Sequence, residues 1–271
     1  MKKIILISII ISTTPIFAQS EFSIGGGAGS SALKFDNSQD ALGNNFGLGY
    51  TYRFNDKFGV RSGLEAAHYN AVTNRNYTET YALDNVWYST PAGYNFLYTV
   101  AAKNINEKNT ATYLQIPLML QYRHDSTQRS GLYGAGGVKF GIPISGKYSS
   151  TIRELTTSGY NEYTRQHHCN NPEEYFSTFT NLSNNHALDF KFGMFFSAEI
   201  GTMRQVSKTL KLYIGMYVDH AINNLSNIKT SKTHLIEYNG CNEPVLNSAI
   251  SRSSKVGATA IGFSVRVGFG N

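Results

Sequence analysis

From Leu188 to Ile200 the chain alternates with a period of two. Leu188, Phe190, Phe192, Met194, Phe196, Ala198 and Ile200 fall on one side, and Asp189, Lys191, Gly193, Phe195, Ser197 and Glu199 on the other. Successive strand residues point to opposite faces, so such a segment separates an apolar environment from a polar one. Eight stretches of this kind recur: Phe22–Ser31, Asn45–Phe54, Phe58–Tyr69, Thr112–His124, Gly131–Ser145, Ala187–Gly201, Thr209–Ile222 and Val256–Gly270. The last is regular throughout, with Ile261, Phe263, Val265, Val267 and Phe269 on its apolar face.

The connections fall into two classes. Asn55–Lys57, Asp125–Ser130 and Thr202–Lys208 are short, Ala71–Ala111, Gly146–His186 and Asn223–Lys255 are long, and Ala32–Asn44 is intermediate. Long structureless loops argue against an ordinary water-soluble fold. Here they alternate with tight turns, as in a cylinder whose two ends differ. The pattern predicts an all-β, eight-stranded antiparallel up-and-down transmembrane β-barrel with long extracellular loops.

The first residues read as an export address. Lys2 and Lys3 precede an apolar run from Ile4 to Ile11 that only Ser8 interrupts, and Phe17-Ala18-Gln19 supplies a cleavage point after Ala18. This divides the chain into a signal peptide, 1–18, and a barrel domain, 19–271. No apolar run is long enough to cross a bilayer as a helix, and no cysteine stands at the cleavage point to take a lipid. Only Asn271 follows the last strand, so no periplasmic domain is expected there. Export and an even strand number together predict a bacterial outer-membrane location, both termini periplasmic and the long loops extracellular. Without Lys2 and Lys3 the formal charge falls from +6 to +4, too mild and too scattered for a nucleic-acid partner.

The polar face carries Arg53, Arg61, Glu65, Arg123, Lys139, Asp189, Lys191, Glu199, Lys211, Asp219 and Arg266, with many glycines between them. An eight-stranded interior is only wide enough to be filled by side chains. Glycines make room for arginine and lysine, which need carboxylates because buried unpaired charge is costly. These residues are the expected lumen charge network, seven basic against four acidic. The reverse arrangement, a soluble barrel with its apolar face inward, would need a solvated face rich in lysine and glutamate. This face is glycine-rich instead, and Phe46, Tyr52, Phe54, Phe58, Tyr122 and Phe269 near the strand ends fit a lipid-interface girdle.

Few residues suggest chemistry. Cys169 and Cys241 lie one in each of the last two long connections, and an even pair in an exported protein predicts a disulfide. His167, His168 and Cys169 are followed by Glu173 and Glu174, but this spacing matches no metal site and is expected to be polar surface. His68, His186 and His220 lie near one rim with Ser183 and Asp219, yet no motif joins them and two have lipid-facing parity. No catalytic residue, metal or cofactor is therefore expected. Tyr77, Tyr81, Trp87, Tyr88, Tyr94, Phe96 and Tyr98 are set among Asn, Thr and Ser, a composition that suits a binding surface. The other reading is that these rings pack a hairpin, Val86–Tyr88 against Asn95–Val100, and cover the barrel mouth.

Three segments carry a resemblance. They are Tyr113-Leu114-Gln115-Ile116-Pro117-Leu118-Met119-Leu120-Gln121-Tyr122-Arg123, Gly131-Leu132-Tyr133-Gly134-Ala135-Gly136-Gly137, and Gly262 to Phe269. With them the chain resembles the small outer-membrane β-barrel family, porin-like barrels of the OmpA/OmpX type, and most of all its Bacteroidetes-type branch. The resemblance implies outer-membrane lipid as surroundings and a C-terminal strand read by the barrel-insertion machinery. It names no ligand, because fold does not fix function. The expected role is a non-enzymatic surface protein, envelope-structural or binding an unidentified extracellular ligand through its loops. The alternative is a narrow, weakly anion-favouring porin-like channel.

Overall fold

Strands with one apolar and one small or charged face can curl until their edges meet, and in this protein they do. The computed structural model describes residues 19–36, 38–83, 96–127, 129–161, 165–169, 176–227, 234–238 and 244–270. In chain order the elements are β1 (Gln19–Lys34), β2 (Gln39–Asp40), β3 (Leu42–Arg53), β4 (Phe58–Leu83), β5 (Phe96–Thr127), β6 (Ser130–Asn161), β7 (Gln166–Cys169) and β8 (Thr178–Ala187). They continue with β9 (Gly193–Gln205), β10 (Leu210–Ala221), β11 (Ile236–Tyr238), β12 (Pro244–Leu246), the single-turn helix α1 (Ala249–Arg252) and β13 (Gly257–Gly270). Antiparallel pairing runs β1–β3–β4–β5–β6–β9–β10–β13 and returns to β1, with Phe22 opposite Tyr50 on one side and Phe269 on the other. This is a ring of eight strands in chain order.

The ring's outer face is the apolar one. Phe22, Leu48, Leu118, Ile144, Phe196, Ile200, Ile214, Phe263 and Val265 are all exposed, while Glu21, Arg53, Lys139, Asp219 and Arg266 are buried. At the short-turn end, aromatic pairs form a girdle: Phe22–Tyr50 and Phe58–Tyr122 at 5.1 Å, Tyr52–Phe54 at 6.0 Å. Side-chain oxygens fix the turns at this end. Asn55 Oδ1 accepts from the amides of Lys57 and Phe58 at 2.9 and 2.8 Å, and Ser207 Oγ from Leu210 at 3.2 Å.

At the other end the expected loops are largely strand. Tyr77 pairs with Ala102, Tyr81 with Tyr98 and Leu83 with Phe96, so β4 and β5 form a hairpin far longer than the belt requires. Its partners are therefore 79–83 against 96–100; Val86–Tyr88 lies outside the described residues. The upper part of β6 pairs with β8 and β7, extending the same sheet. Its inner face packs a second core, Tyr98, Val100, Ile105, Ile152, Leu155 and Phe176, against Leu235, Ile236 and Leu246 of the last connection. Where the outer face meets water instead of lipid, Lys, Thr and Asn replace Leu and Phe. The alternation continues in a different alphabet.

The sixth predicted strand breaks in two. β8 ends at Ala187, β9 starts at Gly193, and Leu188–Phe192 leaves the ladder except for a bridge from Phe190 to Ser226. Phe190 turns inward, where Gly146 leaves space; a Cβ on Gly146 would lie 2.7 Å from that ring. Its neighbours Asp189 and Lys191 are consequently exposed rather than in the lumen.

Candidate functional site

The interior is filled in layers. At the short-turn end Glu21 Oε2 accepts from the Tyr213 hydroxyl at 2.8 Å, with Arg53 Nη2 and Lys211 Nζ each at 3.5 Å. Arg53 also donates to the Tyr213 oxygen at 3.0 Å, and Arg123 pairs with Asp125 at the rim at 3.0 Å. Higher up, Glu199 accepts from Arg61 at 2.7 Å, Tyr133 at 2.6 Å and Ser264 at 3.1 Å. Arg266 lies over the Tyr213 ring at 4.2 Å, and its Nη1 reaches Gln121 Oε1 at 3.5 Å. Above this, Lys139 Nζ donates to both oxygens of Glu65 at 2.9 and 3.0 Å and to Asp219 at 2.9 Å.

Nine of the eleven predicted lumen charges thus point inward, all except Asp189 and Lys191. Glu21 was not among them. It stands one residue before the predicted start of the first strand, and its inward parity with Ser23 and Gly25 was the available signal. Tyr69, Tyr113, Tyr133, Tyr213 and Tyr217 were missed as well, although they alternate with lipid-facing residues.

Above the charges the lumen turns apolar. Tyr69 stacks on Phe195 at 5.6 Å, Tyr113 meets the same ring edge-on at 5.6 Å, and Gln115 Nε2 donates to the Tyr69 hydroxyl at 3.0 Å. Gly141 and Gly193 face that ring; a Cβ on them would approach it to 2.9 and 2.5 Å. Phe190, Leu225, Ile250 and Val256 complete the cluster, so the last connection and α1 close the barrel under the tall hairpins.

A buried carboxylate fastens this closure. Glu107 accepts from Ser248 Oγ at 2.7 Å, the Ala249 amide at 3.0 Å and Asn109 Nδ2 at 2.8 Å, while Ser248 caps α1 through the Ile250 amide at 3.1 Å. Tyr148 donates to the Leu246 carbonyl, and burial, with Glu107 close by, raises its hydroxyl pKa to about 12. Arg252 sits over the Tyr77 ring at 4.6 Å, where burial and the adjacent Arg75 pull its guanidinium below the usual range.

The predicted binding aromatics pack inward where they are described. Tyr98 is buried against Phe176 at 5.8 Å, Tyr81 stacks on His234 at 3.7 Å, and Tyr77 donates to Glu79 at 3.4 Å. A hairpin with a buried face needs such rings as its own core, so these three are not an exposed surface. Phe96 pairs with Leu83 in the ladder; Trp87, Tyr88 and Tyr94 lie outside the described residues. Cys169 is free and exposed, because β7 pairs with β6 at the outer tip and leaves its thiol in solvent, and Cys241 lies outside the described residues.

Nothing among the described residues assembles a catalytic set. His68 bonds Thr112 at 2.7 Å, His220 bonds Thr259 at 2.9 Å, and His186 packs near Tyr148 at 5.8 Å. No cluster of three or more His, Cys, Asp or Glu side chains suited to a metal occurs among the described residues.

The family model for the outer membrane protein beta-barrel domain matches residues 17–227. No curated protein matches the chain. Similar solved structures include Ail, the attachment invasion locus protein of Yersinia pestis, in complex with the heparin analogue sucrose octasulfate; it is 13% identical, with 94% of this chain and 100% of that one covered and a TM-score of 0.33. OprG of Pseudomonas aeruginosa is 15% identical over 94% and 97% of the two chains, TM-score 0.34. A major outer membrane protein of Thermus thermophilus is 9% identical over 92% and 99%, TM-score 0.40.

Proposed function

Because the chain belongs to the outer membrane protein β-barrel domain family, we propose that it serves the bacterial outer membrane as a non-enzymatic surface protein. Both termini of the barrel lie in the periplasm, and the tall hairpins of β4, β5 and β6 stand outside the cell. Its role there is to brace the envelope or to hold a partner on the protruding sheet. The observation that carries this reading is the closed mouth: Tyr69, Tyr113, Phe190, Phe195, Leu225 and Ile250 fill the lumen beneath the hairpins. A second core holds the sheet above it upright. One edge of that sheet, β4 beyond Val72, carries no further strand among the described residues, and open edges can pair with an extended partner.

A second reading rests on the lumen's charge. Six inward cations, Arg53, Arg61, Arg123, Lys139, Lys211 and Arg266, face four inward carboxylates, Glu21, Glu65, Glu199 and Asp219, which would favour anions in a narrow channel. Planar-bilayer recording of the refolded protein separates the two. Silent insertion is expected. Reproducible anion-favouring steps, altered by substituting Arg123 or Lys139, would overturn the closed reading and establish the channel.

A further inference from the structure

Five of the six inward cations have a carboxylate within reach: Arg53 and Lys211 on Glu21 at 3.5 Å, Arg61 on Glu199 at 2.7 Å, Arg123 on Asp125 at 3.0 Å, Lys139 on Glu65 and Asp219 at 2.9 Å. Arg266 has no carboxylate within 4 Å among the described residues, and Glu199, which acts on it from farther off, is already paired with Arg61. Its guanidinium is more than nine-tenths buried, and its Nε and Nη2 have no hydrogen-bond partner. Counting Asp125 at the rim, six cations meet five carboxylates, and the one left over coincides with the arginine that lacks a partner. A guanidinium cannot shed its proton to escape this, and an uncompensated buried charge is expensive.

The space beside Arg266 is built by absence of side chains. Across the wall Arg266 stands opposite Gly25, Gly25 opposite Gly47, and Gly47 opposite Glu65. The adjacent row runs from Ser23 to Gly49 to Gly63. The result is a cavity of about 80 Å³ lined by Arg266, Ser23, Gly25, Gly47 and Gly49. Ser23 is buried too, and its Oγ has no partner. Glu65 and Glu199 also border the cavity, but Lys139 occupies both oxygens of the first, and Arg61, Tyr133 and Ser264 occupy those of the second. What remains is a small chamber with unused N–H and O–H donors beside an arginine that must share its nearest counter-charge, Glu199, with Arg61.

We propose that this chamber binds one small monovalent inorganic anion of chloride size, held by Arg266 Nε and Nη2 and by the Ser23 hydroxyl. Water alone would satisfy the donors but leave the charge without a counter-ion of its own inside a wall surrounded by lipid. The cavity has room for such an ion and companion waters. Because the anion counters a structural charge, it stabilises the folded barrel whether or not the lumen conducts.

The test uses the full-length refolded protein. Crystals soaked in bromide are expected to show an anomalous peak within hydrogen-bonding distance of Arg266 Nε or Nη2, and the same soak of Arg266→Gln is expected to show none. In solution, replacing chloride by gluconate at constant ionic strength should lower the unfolding temperature of the wild type by a few degrees and leave Arg266→Gln unmoved. Should Arg266→Gln fail to fold, Ser23→Ala, which removes one donor, should weaken the chloride response. Ordered water without bromide at Arg266, bromide retained by the Gln variant, or a wild-type unfolding temperature indifferent to chloride would each overturn the proposal.

Discussion

Glu199 takes Tyr133 and Ser264 on one oxygen and Arg61 on the other, so replacing it leaves a buried guanidinium without its counter-charge. Glu199→Gln is expected to destabilise the barrel by about 3–5 kcal/mol, while an apolar pair at positions 61 and 199 should cost far less. Urea titration followed by the gel-mobility difference between folded and unfolded barrel would measure both. Glycines divide in the same way. At Gly193 a Cβ would sit 2.5 Å from the Phe195 ring, so Gly193→Ala should cost about 1–3 kcal/mol by overpacking. Gly136, where a Cβ meets nothing within 4 Å, should accept alanine with little change in the same titration. At this scale parity alone identified Arg53, Lys139 and Arg266 as interior. It failed at Asp189 and Lys191 because the break in the ladder depends on room beside Gly146, which no local pattern expresses.

The elements show where patterning loses its hold. Strands within the lipid belt are legible because one face must be apolar. Beyond the belt both faces of β4, β5 and β6 include polar residues, and their described reach to Leu83, Phe96 and Asn161 leaves no such trace. The closing element was illegible for another reason. Four residues of α1 carry too little periodicity to announce a helix, and its anchor, Glu107, lies 142 positions away from Ala249. Ser248→Ala removes both the cap and a donor to Glu107, a loss of about 1 kcal/mol. The expected outcome is about fivefold faster protease cleavage between 244 and 256, read by mass spectrometry, with the barrel itself intact.

The whole molecule stacks a charged and hydrogen-bonded core inside the ring, an apolar plug at its mouth and a further apolar core in the sheet above. Val72 and Lys108 pair directly at the level where the ring gives way to the upper sheet, so the upper hairpin should be separable. Replacing residues 73–107 with a short turn is expected to leave the folded gel mobility and lipid insertion unchanged while abolishing any partner binding by the sheet. Loss of barrel folding in that variant would show that the ring depends on its superstructure.

Glu21 lies opposite Gly270, so the seam of the wall joins nearly the first and the last residues of the folded chain. A tube sewn in this way has no half-built form. Until the final strand arrives, β1 has no neighbour on one side, and the greasy alternation that suits lipid is a liability in water.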